Sequence, residues 1–158
     1  MALKRIVRAK KSITDLGTWS DAKMPKSAFP LGKQGGFRIR PPYRWRIVKF
    51  DIGEESFRLL IFYRLDLMKC SAMLGRCDEG DMCVLARYEF HADHPGWHFH
   101  TDCSGQWVPG RTGGLHDCIP NHGSRNRRTD FSVNGDDRAY YVVASAFRLL
   151  DRDLFGFQ

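Results

Sequence analysis

Apolar and polar residues alternate along most of the chain between residues 43 and 101. Five runs rich in β-branched and aromatic residues are separated by short polar or glycine-containing turns. They cover residues 43–52, 57–64, 67–74, 82–91 and 97–101. Connections this short join antiparallel strands, since a parallel neighbour needs a crossover of roughly a dozen residues or more. The pattern predicts an antiparallel sheet of four or five strands, because residues 67–74 either continue the second strand or form one of their own.

Three of these runs allow more detailed predictions. Residues 57–64 are apolar on both faces, which is typical of a central strand. In residues 82–91 strict alternation places Met82, Val84, Ala86, Tyr88 and Phe90 on one face. It places Cys83, Leu85, Arg87, Glu89 and His91 on the other. In the last run the same rule puts His98 and His100 on one face and Trp97 and Phe99 on the opposite face.

The hydrophobic pattern changes to a helical period near the C-terminus. Apolar residues recur three and four positions apart, at Ala139, Val142, Val143, Ala146, Phe147 and Leu150. The preceding Asn134-Gly-Asp136-Asp137 offers capping and acidic first-turn residues. We therefore expect a helix from about residue 136 to 150 whose apolar stripe packs on the sheet.

The first 42 residues lack a long period and contain many glycines and prolines, which interrupt regular structure. We interpret residues 1–42 as a basic arm that Trp19 and Phe29 anchor to the rest of the chain. Residues 43–158 then form one domain, with a long His- and Gly-rich loop over residues 102–128. The predicted fold class is α+β: a small antiparallel sheet with one C-terminal helix packed on it.

Charge is distributed unevenly along the chain. Residues 1–50 contain 13 Lys and Arg but only two Asp, a net charge of +11, whereas the whole chain has a net charge of +7. A basic segment of this density attracts polyanions. We expect DNA, RNA or an acidic protein to contact residues 1–50; plain solvation is the alternative. The nucleic-acid-binding candidates are Lys4, Arg5, Arg8, Lys10 and Lys11, with a second basic group at Arg125, Arg127 and Arg128.

Chain length, hydropathy and cysteine content indicate the class of protein and its cellular compartment. A chain of 158 residues with 42% hydrophobic residues is long enough to bury a core. No apolar run approaches the roughly 18 residues of a membrane helix, so no membrane partner is expected. Five cysteines form no regular disulfide framework. These features favour a cytoplasmic protein with reduced thiols.

All six histidines lie between residues 91 and 122. Because His98 and His100 project the same way, two imidazoles can share one ion, such as zinc or another divalent metal. A third protein ligand with an open position would make a catalytic centre, whereas four ligands would make a structural one. The candidate ligands are His91, His94, His98, His100, Cys103, Cys118 and His122.

Two alternatives need no metal. Imidazoles can transfer protons near neutral pH and activate a thiol or a water molecule. On that interpretation the catalytic candidates are His98, His100, Cys103 and His116. In the other alternative, the histidines are structural and only satisfy hydrogen bonds in an irregular loop.

The functional hypothesis combines the histidines with the basic arm. It predicts an intracellular hydrolase of the nuclease, toxin or defence type that acts on a phosphodiester or another polyanion. The alternative is a non-enzymatic module that binds nucleic acid or protein, with a structural His/Cys zinc site or with merely structural histidines.

Overall fold

A computed structural model of the protein describes residues 3–32, 38–101 and 129–150, with only the backbone of His94 and Pro95. In chain order the elements are α1 (Leu3–Arg8), β1 (Ser12–Asp15), β2 (Arg44–Ile52), β3 (Glu55–Arg64), β4 (Lys69–Asp78), β5 (Asp81–His91), β6 (His94–Thr101) and α2 (Asp136–Ala146). The strands form one antiparallel sheet in which each strand pairs with the next along the chain. This confirms the predicted α+β class.

The predicted strand number is wrong, since six strands occur in the described residues instead of four or five. The missed strand is β1, which pairs with β2 at the edge of the sheet. All four of its residues are exposed, so it has no hydrophobic alternation that the sequence could reveal. The run at residues 67–74 forms a strand of its own, β4. As predicted, β3 lies inside the sheet and is buried on both faces.

One side of the sheet, which we call the helix face, is covered by α1 and α2. Its core is apolar: Ile6 of α1 and Val142 and Val143 of α2 belong to one buried cluster with the sheet. Within that cluster the rings of Phe50 and Phe57 stack with their centroids 5.5 Å apart. Burial of this surface is the main stabilising contribution to the fold.

The opposite side, which we call the loop face, is covered in part by residues 24–32 and by Ile39. Phe29 is fully buried there, as its predicted role as an anchor requires, and packs with Leu60 and Met73. The Arg58 guanidinium donates to the carbonyls of Ser27 and Ala28 at 2.8 and 2.7 Å and holds this segment on the sheet. Trp19, the other predicted anchor, contacts Tyr63 on the helix face instead.

A β-bulge corrects the predicted face assignment in β5. The pairing of β4 with β5 shifts register between Leu74 and Gly75, so that Ala86 faces Leu74 and Val84 faces Gly75. Met82 and Val84 consequently lie in the loop-face core, while Ala86 lies in the helix-face core. The extra residue of a bulge reverses the alternation beyond it, which strict periodicity cannot anticipate.

The start of α2 is fixed by an ion pair to the sheet. Gly135 precedes the helix and offers no side-chain cap. Asp136 instead accepts two hydrogen bonds from Arg44, at 2.7 and 2.6 Å, and one from the hydroxyl of Tyr63 at 2.6 Å. The hydrogen bond and charge of Arg44 outweigh burial and lower the pKa of Asp136. The predicted acidic first turn is present, but it joins the helix to the sheet.

The end of α2 falls short of the predicted residue 150. Arg148 takes a left-handed conformation, with φ of 53°, just beyond the helix. The backbone N–H of Leu149 donates to the carbonyl of Ala144 at 2.8 Å, the long contact of a Schellman motif. Leu149 is buried after this reversal. The apolar residues continue past the turn because they pack on the core, not because the helix continues.

Neither helix in the described ranges has the length and apolar character needed to cross a membrane.

Candidate metal centre

The pairing of β4, β5 and β6 brings polar side chains into one row on the loop face. Ser71 lies opposite Glu89, and Glu89 lies opposite His98. In the adjacent row of the same face, Arg87 lies opposite His100. Side chains directly opposite one another on neighbouring strands have Cβ atoms about 5 Å apart, so these groups are close enough to interact.

The strand irregularity before His98 sets the orientation of its ring. The β5–β6 pairing shifts register between Glu89 and His91, and Gly96 in this region has a φ of 118°. Side-chain-bearing residues rarely adopt that conformation, so Gly96 suits the position. Its carbonyl oxygen lies 2.8 Å from Nδ1 of His98. Gly96, near the start of β6, thus orients an imidazole.

Three imidazoles converge on one carboxylate, and we call Glu89, His91, His98 and His100 the His–Glu cluster. The Nε2 atom of His100 lies 3.0 Å from Oε1 of Glu89. The Nε2 atoms of His91 and His98 each lie 3.7 Å from the same oxygen. The rings of His91 and His98 are 5.2 Å apart, and those of His98 and His100 are 4.8 Å apart.

The cluster is largely shielded from solvent. The side chains of Glu89 and His98 are 10% and 5% exposed. Burial raises the pKa of the Glu89 carboxyl, but His98, the guanidinium of Arg87 and the charges of His100 and His91 outweigh burial and lower the pKa to about 2. Glu89 is therefore an anion at neutral pH, and its other oxygen, Oε2, accepts a hydrogen bond from Ser71 at 3.3 Å.

The contact with Gly96 determines which nitrogen of His98 can bind a ligand. A carbonyl oxygen only accepts, so Nδ1 donates the proton in that contact. In a neutral imidazole the lone pair is then on Nε2, the atom next to the Glu89 carboxylate. A lone pair beside a carboxylate is unfavourable unless a second proton or a cation lies between them. Positive charge between Nε2 and the carboxylate, as a proton on the imidazole or as a metal ion, would remove this repulsion.

The spacing of three donors fits a metal ion. One ligand atom from each of Glu89, His91 and His98 lies within 4.8 Å of the other two. Zinc bonds of about 2.0–2.2 Å in a tetrahedral site place donor atoms roughly 3.4 Å apart. The two 3.7 Å distances from Oε1 are close to that value. Small side-chain rotations would bring the distance between the His91 and His98 ligand atoms into the same range. His98 also has the backbone hydrogen-bond partner expected of a metal-ligating histidine.

The cluster contains three of the histidines predicted from sequence, His91, His98 and His100. For His94 only the backbone is described. The remaining candidates for metal binding or catalysis, Cys103, His116, Cys118 and His122, lie outside the described residues, as do the basic residues Arg125, Arg127 and Arg128.

The basic candidates at the start of the arm lie on the other side of the sheet from the cluster. Lys4, Arg5 and Arg8 belong to α1, which packs on the helix face through Ile6. The ammonium group of Lys11 already makes two hydrogen bonds within the chain: its Nζ donates to the carbonyls of Val7 and Ala9 at 2.9 and 3.1 Å. Burial and the charge of Arg148 lower the pKa of Lys11 to about 8. The basic residues of α1 and the His–Glu cluster thus lie on opposite faces of the sheet.

Two residues of the site were not among the sequence candidates, Glu89 and Arg87. The prediction placed both on the same face of β5 as His91, and the structure retains that arrangement on the loop face. The sequence signal for Glu89 was its position two residues before His91 in an otherwise apolar strand. Its partnership with His98 depends on the β5–β6 register, which one sequence does not reveal.

Comparisons of the chain with models of protein families, with curated proteins and with solved structures gave no match. The functional argument therefore depends on the geometry of the cluster.

Proposed function

We propose that the protein is a metal-dependent hydrolase whose ion is held by Glu89, His91 and His98. The observation that carries this proposal is the convergence of two imidazole Nε2 atoms on one carboxylate oxygen, each at 3.7 Å. Two histidines and a carboxylate suit zinc, and also iron, as a set of three protein ligands. Three ligands leave a coordination position for water, which distinguishes a catalytic centre from a closed structural one.

The reaction that best matches this site is hydrolysis of a phosphodiester or another polyanionic ester. A divalent ion lowers the pKa of bound water and stabilises the charge that develops on phosphate oxygens. The water oxygen bonds to phosphorus, the bond from phosphorus to the leaving alcohol breaks, and a water proton ends on the leaving oxygen. His100, 3.0 Å from the carboxylate, is a candidate for moving that proton.

The excess of basic residues supports a polyanionic substrate such as DNA or RNA. Lys4, Arg5 and Arg8 lie on the helix face, so they contact a distant part of a long polyanion that extends around the sheet. They do not contact the reacting group itself. The cation next to the reacting group is Arg87, on the same face as the cluster.

A second candidate function is a binding module in which the metal only holds strands β5 and β6 together. The observation that favours it is burial, since only 5% of the His98 side chain and 10% of the Glu89 side chain are exposed. A buried ion without access for substrate would be structural.

The experiment begins with protein stripped of metal by a chelator and reloaded separately with zinc or manganese. Hydrolysis of bis(p-nitrophenyl) phosphate is followed by the absorbance of released p-nitrophenolate. We expect turnover only in a metal-loaded sample, its loss in Glu89→Gln and His98→Ala, and its retention in Glu55→Gln. Glu55 is the matched control because it is also a strand glutamate paired with an arginine, Arg76.

Circular dichroism during chelation separates the two candidates. A catalytic centre loses turnover while the sheet signal persists, whereas a structural centre loses the sheet signal. Equal turnover with and without metal, or no turnover in any loaded sample, would overturn the hydrolase proposal.

A further inference from the structure

Arg87 differs from the other arginines of the sheet in its use of hydrogen bonds. Arg44, Arg46, Arg58, Arg64 and Arg76 each donate to a carboxylate or a backbone carbonyl at 2.6–3.2 Å. The Nε atom of Arg87 lies 3.1 Å from Oε2 of Glu89, but within the described part of the chain it has no hydrogen-bond partner. The guanidinium is held near the carboxylate by charge, and its terminal donors are left for another group.

The position of Arg87 places those donors beside the candidate metal ligands. Arg87 and Glu89 are two residues apart on one face of β5, so their Cα atoms lie about 6–7 Å from each other. The cross-strand partner of Arg87 is His100, and its neighbour in β4 is the buried Met73. One-third of the Arg87 side chain is exposed, compared with a tenth of Glu89. The Arg87 side chain thus reaches solvent beside the buried cluster.

We infer that the guanidinium of Arg87 forms an anion-binding subsite that takes the phosphate group of the substrate. A guanidinium presents parallel N–H donors that match two oxygens of one phosphate, whereas an ammonium does not. The subsite rests on the proposed function, because it orients a phosphate whose remaining oxygens face the cluster. It assigns to Arg87 the recognition of the substrate's reacting group, which Lys4, Arg5 and Arg8 on the opposite face cannot provide.

The test is calorimetric titration of inorganic phosphate into zinc-reloaded protein freed of excess zinc. The proteins compared are the wild type, Arg87→Lys, Arg87→Ala and Arg76→Lys. Arg76 is the matched control, since its side chain is 28% exposed, compared with 33% for Arg87, and it also pairs with a glutamate. Zinc content and the midpoint of thermal unfolding are measured on the same samples.

We expect Arg87→Lys to weaken phosphate binding about 10-fold, because charge remains but the paired donors are lost, and Arg87→Ala to weaken it about 100-fold. Arg76→Lys should bind as the wild type does, and all four proteins should retain their zinc.

Phosphate affinities of both Arg87 variants within two-fold of the wild type would overturn the subsite, as would absence of binding by the wild type. Neither result bears on the zinc content. A wild type that takes up no zinc, yet binds phosphate through Arg87, would instead remove the metal centre and leave the subsite standing.

Discussion

The two faces of the sheet differ in the interactions that their buried side chains make. The helix face is a continuous apolar core between the strands and two helices, in which residues such as Phe57 and Leu59 are almost completely buried. The loop face has a smaller apolar core and, toward β6, a buried carboxylate surrounded by imidazoles. Apolar burial stabilises a fold directly, whereas buried charges recover their desolvation cost only through good partners.

This difference indicates where function resides. Apolar side chains of similar volume often replace a buried ion pair without loss of stability, so stability alone does not account for Glu89 and His98. Buried titratable groups with a strongly shifted pKa and specific partners are typical of functional sites. The helix face therefore maintains the fold, and the β5–β6 region of the loop face is the candidate site.

The largest expected effect comes from the helix face. Phe57→Ala removes one ring of the stacked pair with Phe50 and leaves a cavity in the core. We expect the free energy of unfolding to fall by about 3–5 kcal/mol. Urea denaturation measures this, and the folded fraction should still bind zinc as the wild type does. Loss of zinc binding by the folded variant would contradict the independence of the two faces.

A pH-dependent effect of intermediate size is expected on the loop face. The pKa of Glu89 is lowered from 4.5 to about 2, so its favourable contribution is complete above pH about 5 and is lost as the pH falls toward 2. The contribution is about 3 kcal/mol, because each tenfold change in the ionisation equilibrium corresponds to roughly 1.4 kcal/mol. Urea denaturation of metal-free wild type and Glu89→Gln should give stabilities that converge as the pH falls through that range. A difference that does not change with pH would contradict the assigned charge of Glu89.

The smallest expected effect concerns the arm. Lys4 and Arg5 are exposed on α1, so the double change to alanine should alter the free energy of unfolding by no more than about 0.5 kcal/mol. It should weaken binding of a single-stranded oligonucleotide at low salt while leaving zinc content unchanged. Fluorescence anisotropy and elemental analysis measure these quantities. Loss of zinc together with oligonucleotide binding would contradict the separation of α1 from the cluster.

The sequence predicted the fold wherever local pattern and tertiary structure agree. Alternation identified five strands of the sheet, and the helical period identified α2 from its correct first residue, Asp136. The exposed strand β1 had no pattern to find, and the bulge in β5 reversed an alternation that is regular in the sequence. The end of α2 was misplaced because Leu150 follows the helical spacing after the chain has already turned at Arg148.

The candidate site was predictable only in part. Clustering along the chain identified His91, His98 and His100, since neighbours on β-strands remain neighbours in space. Glu89 is a short sequence distance from them, but its place at the centre of the cluster results from the β5–β6 register. That register depends on the irregularity at Gly96, which is a tertiary feature.

The most direct test of the central claim is a zinc titration of metal-free protein, read by elemental analysis after removal of unbound ion. The proteins to compare are the wild type, Glu89→Gln and the control Glu55→Gln. The predicted result is about one equivalent of zinc in the wild type and in Glu55→Gln, and a loss of at least about 100-fold in zinc affinity in Glu89→Gln. Zinc uptake by Glu89→Gln equal to that of the wild type, or no uptake by the wild type, would contradict the assignment of this cluster as a metal centre.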